Sequence, residues 1–329
     1  MKMQALLVSA GALLALALAP AQDTKALKGT VKLDGSSTVF PIAEAVAEEF
    51  SKAAPGVEVT VGMSGTGGGF KRFGAGEIDM SSASRAIKKS EADACKAKQI
   101  EFIELPVAFD GLTIVVNTGN TWAKELTVEQ LKAIFTAGTA AKTWKDVDPS
   151  WPADAIKVFS PGTDSGTFDY FKEVVAGKEG KIRADMSVSE DDNVLVRGVE
   201  GDRNAIGFFG YAYYAENKSR LRAVPVVNPA TRKAVGPTPE SIEDGSYAPF
   251  SRPLFIYVNR ASLDKPAAAA FAKYALDHAS ELVGEVGYVR LPAAIIDRAK
   301  ANLAARRTGS QFLDADGKDR HGPLAEIYK

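Results

Sequence analysis

Three short stretches of the 329-residue chain gather small hydroxyl residues and glycines, each between a strand-like run and an amphipathic one. The first is Asp34-Gly35-Ser36-Ser37-Thr38-Val39-Phe40-Pro41. The second is Met63-Ser64-Gly65-Thr66-Gly67-Gly68-Gly69-Phe70. The third is Pro161-Gly162-Thr163-Asp164-Ser165-Gly166-Thr167-Phe168-Asp169-Tyr170-Phe171. Where such a loop opens a helix, the first N–H groups lack internal acceptors. The aligned peptide dipoles leave about +0.5 charge there. Glycine lets the backbone come close to a guest, and Ser and Thr add donors without adding charge. That chemistry suits a tetrahedral oxyanion. Any one of these loops is also an ordinary N-cap; three in one chain favour a site. Residues 65–69 are not a P-loop, because no Gly-Lys-Ser/Thr follows them.

Charged residues flank these loops. Arg85 ends the run IDMSSAS (78–84), and its planar fork suits a phosphate-like oxyanion. Asp164 lies inside the third loop. A carboxylate there accepts a hydrogen bond from a protonated oxyanion, which favours phosphate over fully ionised sulfate; the alternative is a turn or cap residue. Asp110 and the run Asp191-Asp192-Asn193 carry the same two readings.

The elements that position these residues alternate between two periods. Strand patterns cover 31–36, 57–63, 78–84, 105–117, 155–160 and 252–259. Helix patterns cover 41–52, 68–76, 127–135, 167–177 and 266–287, the last mainly helix with Gly284 as a candidate break. In the first helix Ile42, Val46 and Phe50 share one face. Residues 204–217 read as strand and then helix. This order predicts an α/β architecture with a mostly parallel sheet. Segment 225–251 is proline-rich and reads as an extended surface connection, and the polar tail 307–329 as a wrap or a mobile end.

Apolar residues make up 46% of the chain and charged residues 25%, an ordinary globular mixture. Lys and Arg number 40 against 41 Asp and Glu, which argues against a nucleic-acid partner. One cysteine, Cys95, excludes an internal disulfide and cysteine-rich metal sites; it reads as part of a surface helix without function. Two histidines leave little room for metal or His-based catalysis. The start, a basic Lys2, an apolar run 5–19 and Ala19-Pro20-Ala21, reads as a signal peptide cleaved after Ala21. Fifteen apolar residues fall short of the ~20 a membrane helix needs. The mature chain is expected outside the cytoplasm, in a periplasm or secreted.

With these loops in view, a family resemblance emerges. DGSSTVFPIAEAVAEEF, GMSGTGGGFKRF, IDMSSASRAIK, SPGTDSGTFDYF and GDRNAIGFFGYAYY resemble the phosphate-binding proteins of bacterial phosphate ABC importers, over residues 30–310. The resemblance implies a two-lobed type II periplasmic-binding-protein fold with a ligand cleft and two hinge crossings, near 106–111 and 251–256. Lobe one becomes 23–108 plus 255–329, and lobe two 109–254. It implies phosphate ligands at Ser37, Thr38, the Val39 amide, Ser64, Ser165, Gly166 and Thr167. Arg85 and Asp164 join them, with Ser36, Gly65, Asp110 and Asn193 as further candidates. Well-studied members carry an Asp where this chain has Arg85, and an Arg where it has Pro161. The expectation is a charge swap between lobes, as in a divergent branch carrying PGTDSGTFDYF. Function follows as capture of inorganic phosphate for a membrane permease by a monomer, without catalysis, cofactor or metal.

Other readings remain open at this level. Asp164-Ser165-Gly166-Thr167 spells an aspartic-protease signature, but such enzymes need a second carboxylate and no second copy exists. A secreted phosphatase wants a nucleophile with metal ligands. Sulfate, molybdate or tungstate are alternative guests, and a sensor or adhesin is an alternative role for the fold.

Overall fold

The computed structural model describes residues 24–138, 140–163, 165–177, 180–189, 191–320 and 322–329. The expected signal peptide and Asp164 lie outside the described residues. The strands are β1 (Gly29–Gly35), β2 (Val57–Gly62), β3 (Met80–Ala83), β4 (Phe102–Asn117), β5 (Lys157–Pro161) and β6 (Ser187–Ser189). Then come β7 (Ala205–Gly210), β8 (Leu221–Ala223), β9 (Val226–Val227), β10 (Ala234–Val235) and β11 (Ser251–Asn259). The helices that bear on the site are α1 (Phe40–Ala53), α2 (Gly65–Gly74), α3 (Lys89–Ala97) and α4 (Val128–Phe135). Further along are α5 (Trp144–Val147), α6 (Gly166–Ala176), α7 (Asp192–Glu200), α8 (Tyr211–Glu216), α9 (Pro239–Glu243) and α10 (Pro266–Glu285).

A nine-stranded sheet runs in the order β2-β1-β3-β11-β4-β7-β5-β6, with β8 added to β4. The pairings β1–β2, β1–β3, β5–β6 and β5–β7 are parallel. Those of β4 and β11 with each other and with β3, β7 and β8 are antiparallel. The sheet is therefore mixed rather than mostly parallel, because β11 runs against β1–β3, and β4 runs against both β11 and β7. β4 pairs with β11 over Phe102–Gly111 and with β7 over Leu112–Val116. It is the bridge between two halves, one built on β1–β3 and one on β5–β7. Its sixteen residues are buried except the last, half-buried one, which accounts for their nearly continuous apolar sequence.

The helices form for local reasons visible in the sequence. Pro41 opens α1 where no N–H partner is needed, and Ile42, Val46 and Phe50 are buried on one side. Thr127 and Gln130 cap α4 reciprocally. Gly177, at φ +75°, ends α6. α10 continues through Gly284 instead of breaking there. Glycine in a helix costs ~1 kcal/mol, and the burial of Ala279, Leu282 and Val283 holds that last turn on the core. Among the described residues no helix is long and apolar enough to cross a membrane.

Two stretches expected at the surface are core. Within 225–251, Ile242, Tyr247 and Phe250 are fully buried, so this connection is a packed wall of the second half. Cys95 is buried and not on an exposed helix face, and burial pushes its thiol up to about 11. The tail wraps the body. Ser310 Oγ (2.6 Å) and the Gln311 N–H (2.9 Å) donate to buried Glu104, and Tyr328 is fully buried with its OH on the Glu104 carbonyl. Burial raises the Glu104 carboxyl to about 7 against the pull of these donors and Tyr257.

Candidate functional site

The carboxyl ends of β1, β5 and β7 face a cavity of about 310 Å³ between the two halves. Open α/β sheets hold their ligands at such strand ends. Ser37 and Thr38 line it from the first loop and Ser165 and Thr167 from the third; Asp110 comes from β4, and Tyr211 and Tyr213 from α8.

The first loop is shaped from within. Buried Ser36 accepts the N–H groups of Thr38 (3.1 Å) and Val39 (3.4 Å), and its carbonyl accepts that of Phe40 (3.0 Å). Ser36 and the Val39 amide are thus engaged in the turn, outside the cavity lining, and what the turn presents is Ser37 and Thr38. Gly35, at φ +150°, lets the chain pass β3, since a Cβ would lie 2.0 Å from the Ser82 carbonyl oxygen. Tyr288 OH donates to the Thr38 carbonyl at 2.7 Å and holds the loop from α10's side.

In the third loop Ser165 caps α6, its Oγ accepting the Thr167 N–H at 3.2 Å. Gly166 is the first residue of that helix. The second loop behaves differently. Ser64 is exposed and its N–H donates to buried Asp34 (3.0 Å), while Thr66 bonds Ser84 (3.1 Å). Gly65 starts α2 at φ +78°, and Gly69 admits close packing, a Cβ there falling 2.6 Å from Gly35 Cα. Only Met63 of this loop lines the cavity, so Ser64 and Gly65 sit apart from the other two loops. Asp191 caps α7 by accepting the Asn193 N–H (2.9 Å); Asn193 is exposed, and it is Asp192 that lines the cavity.

The cation bonded to the lining of this cavity is not the one the sequence singles out. Arg85 is absent from the lining. Both arms of its fork lie 2.8 Å from the Glu91 carboxylate. Glu91 also accepts the Lys88 N–H at 2.9 Å as part of α3's cap, so one carboxylate fixes the whole segment. Arg252 of β11 is also outside the lining, but it bonds two residues that do line the cavity, Asp110 and Thr38. Its Nε (3.2 Å) and Nη2 (3.1 Å) donate to Asp110 Oδ2, and Nη2 reaches Thr38 Oγ1 at 3.3 Å. The guanidinium lies over the Tyr170 ring, 3.7 Å from its centroid. Tyr170 in turn donates its OH to the Pro249 carbonyl. Burial pushes the Asp110 carboxyl up, and the neighbouring Arg252 charge works against that push.

The missing signal was a register. Arg252 stands directly opposite Asp110 in the antiparallel β4–β11 ladder. Both residues were visible in two runs read as extended, but nothing in either run fixes their alignment.

Hydroxyls from two loops thus gather in one cavity beside a buried ion pair. Residues 19–278 match the model of the PBP superfamily domain. The chain belongs to this superfamily. Protein SphX of Synechococcus elongatus is 49% identical over 92% of this chain and 89% of its own length. The phosphate-binding protein PstS of Staphylococcus haemolyticus is 44% identical over 82% and 83%. Among solved structures, a possible phosphate binding protein from Planctomyces limnophilus is 48% identical with a TM-score of 0.81, covering 85% of this chain and 99% of that one. An ABC-type phosphate transport receptor from Vibrio cholerae is 26% identical with a TM-score of 0.65, covering 80% and 100%. The relatives are substrate-binding proteins, and the two-lobed fold of this superfamily is the fold of this chain.

Proposed function

We propose that this protein captures inorganic phosphate between its two halves, outside the cytoplasm, and delivers it to the membrane permease of an ABC importer. One observation carries the reading. Uncharged donors from both halves, Ser37 and Thr38 on one side and Ser165 and Thr167 on the other, line a single cavity beside the Asp110–Arg252 pair. Relatives over most of the chain's length bear the name phosphate-binding protein.

The division of labour follows from the chemistry. The hydroxyls of Ser37, Thr38, Ser165 and Thr167, with the positive end of α6, donate to the oxygens of the guest. Arg252 supplies positive charge, and the Tyr170 ring beneath it keeps its plane fixed. Asp110 accepts the proton that phosphate keeps and sulfate lacks, which turns an ionised carboxylate at an anion site into a filter. We assign to Asp110 the acceptor role that the sequence offered to Asp164. In this reading the two lobes lie on either side of the β4 and β11 crossings and close around a desolvated guest. The protein acts by binding alone, as a monomer, after removal of residues 1–21.

Calorimetry of the mature chain against phosphate, arsenate, sulfate and molybdate across pH tests this. Phosphate and arsenate are expected to bind and sulfate to be rejected at neutral pH. Equal affinity for sulfate, or no heat with phosphate, sinks the reading. Molybdate binding in place of phosphate would instead select the other-oxyanion alternative.

A further inference from the structure

Arg85 is left without a part in that cavity, yet it faces the opposite half. A groove of about 260 Å³ is lined by Arg85 and Lys88 on one side and by Asp169, Lys172 and Glu173 of α6 on the other. Arg85 and Glu173 also line an adjoining cavity, together with Arg252 and Tyr170. The Arg85 side is rigid. Glu91 holds its fork, and two residues on, the Ile87 N–H donates to buried Tyr257 OH at 2.8 Å. The other side rides on a single element. Asp169 and Glu173 stand one turn apart on α6, on one face. The same helix begins with Ser165, Gly166 and Thr167. Any motion of α6 that brings its N-terminus onto a guest carries its two carboxylates toward Arg85 and Lys88.

We propose that Arg85 and Lys88, with Asp169 and Glu173, form an ionic clasp across the cleft, so that Arg85 governs release of the guest without touching it. This rests on the phosphate-trap reading above. The electrostatics agree. Burial works against the Arg85 charge, but Glu91 and, at longer range, Glu173 outweigh it and hold its pKa above the ordinary value. Half-exposed pairs of this kind contribute ~0.2–1 kcal/mol each and are screened by salt. The clasp therefore acts on the dissociation rate and carries its salt dependence.

The test compares wild type with Arg85→Ala, Arg85→Lys, Glu173→Gln and the double variant Arg85→Ala/Glu173→Gln. Stopped-flow with inorganic phosphate at low and high salt gives the rates. Arg85→Ala and Glu173→Gln are each expected to speed dissociation about two- to fivefold, to leave association unchanged and to flatten the salt dependence. The double variant should match either single one, and Arg85→Lys should restore slow release. Additive effects, or a wild-type rate for Glu173→Gln, overturn the clasp. Collapse of affinity in Arg85→Ala alone would make Arg85 a ligand instead. Spin labels at the exposed positions Ser51→Cys and Ser219→Cys, with native Cys95 buried, give a second, ligand-free readout. Wild type that binds no phosphate refutes the trap reading. The clasp then stands if the label separation widens in Arg85→Ala and Glu173→Gln, and falls if it does not.

Discussion

Arg85 and Arg252 are both arginines at the cleft, and their surroundings assign them opposite work. Both arms of the Arg85 fork are taken by Glu91, a residue six positions along the same segment. Arg252 meets its carboxylate across two strands, 142 residues away, and that carboxylate is itself in the cavity wall. The Arg252 side chain is 13% exposed and that of Arg85 27%. A charge in a low-dielectric wall acts strongly on whatever enters, whereas a charge facing a wet groove is weakened by water and salt. What an arginine can do for a guest depends on which partner already holds it and how dry the place is.

That contrast is broken most sharply by Arg252→Ala. Phosphate affinity is expected to fall by about 2–5 kcal/mol in calorimetry, because a buried charge pair loses one member. The thermal midpoint falls with it, since Asp110 stays buried without its counter-charge. Wild-type affinity in this variant would return the cation's role to Arg85.

Asp110→Asn comes next. Discrimination of phosphate over sulfate is expected to drop about tenfold or more, roughly the 1.4 kcal/mol of one lost charge repulsion. In the wild type, pH sharpens the same point. Asp110 titrates above the ordinary carboxylate range because it is buried. As pH falls through that raised value the carboxyl becomes neutral, and sulfate exclusion fades at a higher pH than an ordinary aspartate would give. Selectivity that stays constant down to the usual carboxylate range would exclude Asp110 as the filter.

Single hydroxyls should cost less. Thr38→Val and Ser165→Ala are each expected to weaken phosphate binding by about 1–3 kcal/mol, the loss of one partner to a charged guest. Ser64→Ala is the control from the loop that stands apart. It should stay within about 0.5 kcal/mol of wild type, as exposed substitutions usually do. A large loss there would show that the second loop joins the site.

Much of the fold was legible because it rests on local patterns. Strand and helix runs were read within a few residues, since the burial of Ile42, Val46 and Phe50 on α1 or the caps of α4 and α6 are matters of neighbours in the chain. The helix-tip hydroxyls were legible for the same reason. The direction of the sheet was not. Two long apolar runs look alike whether parallel or antiparallel, and only pairing fixed β4 against β11 and β7. The proline-rich segment misled because punctuation by proline marks irregular backbone, and irregular backbone carrying Ile242, Tyr247 and Phe250 is still core.

By itself, the chain's order of residues determined where helices start, which hydroxyls stand at their tips and that no strong net charge would be needed to hold an anion. The tertiary structure decided which tips share a cavity and which arginine joins them. The reason is distance along the chain: a cap is set by residues three or four apart, but the Arg252–Asp110 pair exists only once two strands have chosen their register and water has been driven from between them.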